Sequence, residues 1–246
     1  MQLPHCRLDL SSVSLPALTT WTRLQALAWI PILLATWLEQ EGFEYWRILS
    51  ASLVLASVAS LAWVLRIGRR APDMVTLLRA FALIPLVAVS FTSAWTMWLL
   101  VLCVVLLDLL DGALARRLGA TAEGAVLDME SDQLTVTILA LLVVSAGGGA
   151  HVLLLPMMRH GFVIFAWWQG LPATDPKPIE GNNQRGRVVC ALVITSLLLA
   201  LLPGVFDWLK DIVIGIAVLA LGWSFASDGQ HLRQRRRAAR ELHGSS

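Results

Sequence analysis

The stretch DLLDGALARRLGATAEGAVLDMESD, residues 108–132, sets four carboxylates, Asp108, Asp111, Asp128 and Asp132, inside a chain built mostly of apolar residues. Asp108 and Asp111 are three residues apart and Asp128 and Asp132 four apart, so on helices each pair shares one face. Two antiparallel helices with a short connection bring all four together. Such a group repels itself in a poorly solvated site unless it is protonated or neutralised by cations.

The rest of the chain explains why the setting is poorly solvated. Of 246 residues, 57% are hydrophobic and 15% charged, eleven are Trp, and the mean hydropathy is +0.70. Soluble domains run at roughly 45–50% apolar and about 25% charged. The chain reads as an all-α, polytopic integral membrane helix bundle. A net charge of +2 is too small to point to nucleic acid, and no nucleic-acid partner is expected.

A bilayer core takes about 20 mostly apolar residues per helix. That ruler predicts helices at about 22–38, between Arg47 and Arg66, at 73–91 and 94–117 with SFTS (90–93) as the turn, at 124–145 ending at the glycines 147–149, and at 150–169. A polar, proline-rich loop (170–187) follows, then helices at about 188–202 and 210–227, making eight. With both termini inside, Arg7, Arg23, Arg66, Arg69, Arg70, Arg116, Arg117, Lys177, Arg185, Arg187 and Arg233, Arg235, Arg236, Arg237 and Arg240 are cytoplasmic, and only Arg47 and Lys210 lie outside. The carboxylate stretch therefore faces the cytoplasm, at the cell inner membrane if the source is bacterial. The tail HLRQRRRAAR (231–240) fits either a topology signal or an anionic-lipid contact. The first 20 residues lack a secretory-signal layout, so a retained anchor is expected. Cys6, Cys103 and Cys190 are odd in number and scattered, and suggest neither a disulfide framework nor a metal site.

Oxygen ligands without His or Cys select Mg²⁺, Mn²⁺ or Ca²⁺ over zinc, and two divalent ions match the charge of four carboxylates. Gly112 and Gly124 remove side chains beside the carboxylates, and Arg116, one turn after Gly112, presents a planar fork suited to phosphate. Simple pairing of Asp with Arg116 and Arg117 at a helix end accounts for one or two carboxylates but not for four at helical spacings.

The run Asp108-x-x-Asp111-Gly112-x-x-Ala115-Arg116, then Gly124-x-x-x-Asp128-x-x-x-Asp132, resembles the signature of the CDP-alcohol phosphotransferase family, with all eight fixed positions present. Upstream, PDMVTLLR (72–79) resembles the family's Pro-Asn-x-x-Thr-x-x-Arg, with Asp73 in place of Asn and with Thr76 and Arg79 kept. A cap-region hydroxyl and a snorkelling interfacial arginine explain Thr76 and Arg79 equally well. The resemblance implies a six-helix core at 71–230, preceded by an extension of two transmembrane helices (1–70) and followed by a basic cytoplasmic tail (231–246).

It also implies transfer of a substituted phosphate from a CDP-alcohol, such as a CDP-linked lipid in the membrane, to a small polar alcohol, with release of CMP, by a homodimer. By similarity, Asp108, Asp111, Asp128 and Asp132 hold two Mg²⁺ (or Mn²⁺) ions and Asp132 is also the general base. Gly112, Ala115, Arg116, Gly124 and Thr76 border the nucleotide and its diphosphate. Arg159, set mid-helix where a charge should face protein rather than lipid, is an acceptor-phosphate candidate together with Arg185 and Arg187. Its context distantly resembles phosphatidylglycerophosphate synthases, although His160 stands where Glu is expected. Glycerol 3-phosphate is the first acceptor, with inositol phosphate, serine or another alcohol as alternatives. Arg185 and Arg187 also fit plain topology, and His160 reads as an internal hydrogen-bonding residue. A divalent-cation transporter is the alternative of another class, but the core helices become apolar towards their outer ends, as in LLVLCVV and TVTILALLVV.

Overall fold

A computed structural model of the chain describes residues 15–38, 43–65, 71–88, 93–118, 122–169 and 183–244. Among them are eight α-helices and no strand: α1 (Leu15–Leu38), α2 (Phe43–Leu65), α3 (Ala71–Ala88), α4 (Ala94–Leu118), α5 (Ala122–Ser145), α6 (Leu154–Trp168), α7 (Asn183–Leu201) and α8 (Asp207–Gly244). A 3₁₀ turn, Ala150–Leu153, leads into α6. Most of the expected turn at 90–93 and most of the loop at 170–187 lie outside the described residues.

Three boundaries differ from the sequence expectation. Helix α1 starts at Leu15 because Pro16 falls in its first turn, where a missing N–H costs nothing. Helix α7 starts at Asn183 and carries Arg185 and Arg187 within the helix. Helix α8 does not stop near 227 but runs to Gly244, since its Arg- and Ala-rich end has good helix propensity and no proline interrupts it.

The outside of the bundle is more apolar than a water-facing surface would be. On α8, Trp208, Ile212, Ile216, Leu219 and Trp223 are exposed at spacings of three and four while Ile214 and Ala217 are buried. On α4, Trp95, Leu99 and Leu106 face out while Met97, Val101 and Val104 face in. The interior, in turn, holds Thr36, Ser50, Ser57, Thr76, Arg79, Glu130, Ser131, Thr135 and Thr137. Apolar outside with polar groups satisfied inside is the arrangement lipid demands. Thr135 and Thr137 meet that demand locally, donating to the carbonyls of Ser131 (2.9 Å) and Gln133 (2.8 Å). Two helical stretches, Ala150–Trp168 and Asp207–Gln230, are long and apolar enough to cross a membrane by themselves. A 24-residue helix such as α5 is about 36 Å long, also enough for the roughly 30 Å hydrocarbon core.

Helix α5 is the axis of the bundle. From Ile138 to Val144 every residue is buried, so this half is apolar all round and is packed against α2, α3, α6 and α7. Helix α3 packs on α2, α4 and α5, and α7 packs on α8. The two N-terminal helices are part of this body. The Trp21 indole N–H donates to Ser60 Oγ at 2.8 Å, joining α1 to α2, and Ala26 of α1 is buried with Val163 and Ala166 of α6. The extension thus backs both α3 and α6.

The glycines after α5 end it with defined hydrogen bonds. Gly147 takes φ +87°, its N–H donates to the Val144 carbonyl (3.0 Å), and the Gly148 N–H donates to that of Val143 (2.9 Å), a Schellman cap. Around Gly147 there is space for a Cβ, whereas one on Gly148 would lie 2.8 Å from the Val143 carbonyl oxygen. Gly147→Ala should therefore cost about 1 kcal/mol from its left-handed backbone alone. Gly148→Ala should cost more, seen as the larger fall in thermal midpoint of detergent-purified protein. A Gly148→Ala variant as stable as the parent would contradict the cap.

Candidate metal and phosphate site

Asp108 lies ten residues before the end of α4, and Asp132 lies ten residues after the start of α5. Both helices pack on α3, which brings them to one level. One carboxylate oxygen from each of Asp108, Asp128 and Asp132 lies within 4.8 Å of the others. The sequence expectation that the two helices pool their carboxylates is met for these three. Asp111, Gly112, Ala115 and Arg116 on α4 and Gly124 on α5 have helical backbone, but their side chains lie outside the described residues.

The centre of the cluster is a residue that sequence spacing alone left undecided. Arg79, on α3, is 1% exposed and so is no snorkelling interfacial arginine. Its Nη1 donates to Asp108, its Nη2 donates to Asp132 at 2.9 Å and to Asp128 at 3.4 Å, and its Nε donates to Ser131 Oγ at 3.3 Å. A guanidinium presents this planar fork and a lysine does not. Thr76, one turn earlier on α3, is also buried. The available signal was the final arginine of PDMVTLLR, which shares a helix face with Thr76.

The carboxylates are open on the side away from Arg79: the side chains of Asp108, Asp128 and Asp132 are 33%, 50% and 25% exposed. The guanidinium is the floor of the site and the carboxylates its rim. Asp132 is held on a second side, with Cys190 Sγ of α7 3.9 Å from its Oδ2. An all-oxygen donor set of this spacing fits a hard divalent cation.

The acceptor-phosphate candidates are not joined to this cluster by any contact among the described residues. Arg159 does turn into the protein, as expected, and meets Glu130 Oε1 at 3.5 Å, with both side chains largely buried. Glu130 lies between Asp128 and Asp132 in sequence but on the other side of α5, facing α6. Arg185 pairs with Asp228, donates to Ser227 Oγ at 2.6 Å and lies over the Trp223 ring (5.5 Å), fastening α7 to α8. Arg187 is exposed and has no ion pair among the described residues. His160 is internal, as expected, but its buried Nε2 lacks a hydrogen-bond partner among the described residues.

An apolar helical body holding a carboxylate cluster against a buried arginine has the chemistry of a hard-cation site in a membrane protein. Comparison with protein families matches residues 69–226 to CDP-alcohol phosphatidyltransferase, and the chain belongs to that family. It is accordingly a phosphotransferase, moving a phosphatidyl group from a CDP-alcohol to an alcohol, and the transport alternative gives way to that. The family is divalent-cation dependent, in keeping with the oxygen cluster. Neither the curated proteins nor the solved structures contain a match.

The Glu130–Arg159 pair gives a direct test of the packing between α5 and α6. Removing one partner of a buried pair leaves an uncompensated charge and costs about 3–5 kcal/mol, whereas replacing both with apolar residues is often neutral or better. Glu130→Leu or Arg159→Leu alone should lower the thermal midpoint clearly, and the double variant should recover most of the loss. A double variant as unstable as the two losses combined would contradict the pairing.

Proposed function

We propose that the protein is a phosphatidylglycerophosphate synthase-like enzyme. It transfers the phosphatidyl group of CDP-diacylglycerol to glycerol 3-phosphate and releases CMP. The observation that carries this reading is the meeting of Asp108, Asp128 and Asp132 at one level of α4 and α5 in a member of this family. Asp111 completes the ion-binding set, while Gly112, Ala115, Arg116, Gly124 and Thr76 border the nucleotide and diphosphate. The enzyme is a multi-pass homodimer with its site towards the cytoplasm. A lipid donor then enters from the bilayer and a polar acceptor from water.

Bound as a pair, Mg²⁺ or Mn²⁺ ions supply neutralisation of the diphosphate and polarisation of the attacked phosphorus. The acceptor hydroxyl oxygen bonds to the phosphorus that carries the lipid. The bond from that phosphorus to the bridging oxygen breaks, and CMP leaves with the bridging oxygen. Asp132 takes the hydroxyl proton, a contribution of typically 10²–10⁴-fold. It is suited to that task by being anchored through Oδ1 to Arg79 while one quarter of its side chain stays open.

Among the acceptor-phosphate candidates, Arg159 and Arg185 are engaged by Glu130 and Asp228, while exposed Arg187 is the one ready to meet an incoming anion. Arg187→Ala should raise KM for glycerol 3-phosphate about tenfold, as for the loss of one charge-assisted contact, and leave KM for the donor unchanged. An unchanged acceptor KM would remove Arg187 from the site.

The reading as a whole is tested with purified protein, CDP-diacylglycerol, Mg²⁺ and a panel of glycerol 3-phosphate, inositol phosphate, serine and other alcohols, scoring CMP release. Glycerol 3-phosphate should give the fastest release, and Asp132→Asn should keep donor binding while losing turnover by at least about 10²-fold. Faster release with another alcohol would reassign the acceptor, and a nearly fully active Asp132→Asn would sink the general-base role.

A further inference from the structure

Arg79 does something that holding a nucleotide or an acceptor does not explain. Its guanidinium, sealed from solvent, donates into all three described carboxylates and Ser131. It engages one oxygen, Oδ1, of each carboxylate that a divalent ion would draw on. Those oxygens come from two helices, and the arginine from a third, so this one group joins α3, α4 and α5.

Three carboxylates this close destabilise one another strongly in a site of low dielectric. One internal positive charge brings the described cluster from three negative charges to two, the charge a single divalent ion cancels. We propose that Arg79 is a resident counter-cation of the ion site. With no ion bound it holds the carboxylates of α4 and α5 in register, and as ions load it yields carboxylate oxygens to them. It thereby competes with the ions and lowers their affinity for the substrate-free enzyme. The anionic diphosphate of the donor offsets the same charge, so ions bind more tightly with the donor than without it.

A purely structural arginine predicts the opposite effect on ions, because losing it would disorder the ligands and weaken binding. The two roles separate in the full-length, detergent-purified protein without substrate, using free Mn²⁺ measured by electron paramagnetic resonance and thermal midpoints in EDTA and in Mn²⁺. Arg79→Gln should bind Mn²⁺ at least about tenfold more tightly, since a like charge at contact distance has been removed. Its midpoint should fall in EDTA by about 5 °C or more and return close to that of the parent with Mn²⁺. Arg79→Lys keeps the charge and should stay near the parental Mn²⁺ affinity.

If Arg79→Gln can be recovered only in Mn²⁺, its unfolding on chelation while Arg79→Lys stays folded is the same supporting result. Mn²⁺ binding to Arg79→Gln no tighter than to the parent, or an equal loss of stability with and without Mn²⁺, would overturn the role. Because this role presupposes that the carboxylates are the ion site, a parent protein that binds no Mn²⁺ would overturn that premise instead.

Discussion

The repulsion among carboxylates set close together in a membrane protein constrains everything around them. Asp108, Asp128 and Asp132 place oxygens within 4.8 Å of one another, an arrangement that needs positive charge to persist. Arg79 supplies part of it from below, and the part-exposed carboxylates leave room for more from the open side. The helices follow from that need. Helix α3 must run beside both α4 and α5 to deliver the arginine, and α5 must be locked in place to keep its carboxylates aimed at α4.

The bundle secures α5 by burying its second half completely, Ile138 to Val144, in the body formed with α2, α3, α6 and α7. The charged half is thereby cantilevered from a rigid apolar half. The extension that precedes the family-matched residues shares in this: α2 packs on α3 and α5, and α1 packs on α6. Helix α2, packed on α3, thus joins the extension to the helix that carries Arg79.

The all-helical character and the three carboxylates that converge were legible in the sequence, because spacing along one helix fixes which side chains share a face. The placing of Arg79 was not legible. Its position fitted the family motif and a snorkelling interfacial arginine equally, and only the packing of α3 against α4 and α5 shows it buried. Likewise nothing in the sequence singled out Glu130, between Asp128 and Asp132, which turns to α6 and pairs with Arg159. Pairings between helices are set by three-dimensional register, which periodicity within one helix does not carry. The overrun of α8 to Gly244 has a simpler cause: the ruler used was bilayer thickness, and a helix continues into water wherever its propensity permits.

The most direct test of the ion site is anomalous diffraction from crystals of the full-length protein grown with Mn²⁺. Anomalous density is expected between the carboxylates of Asp108, Asp128 and Asp132, with the Arg79 guanidinium still beneath them. Mn²⁺ density at some other cluster, with these three carboxylates still closed on Arg79, would contradict it.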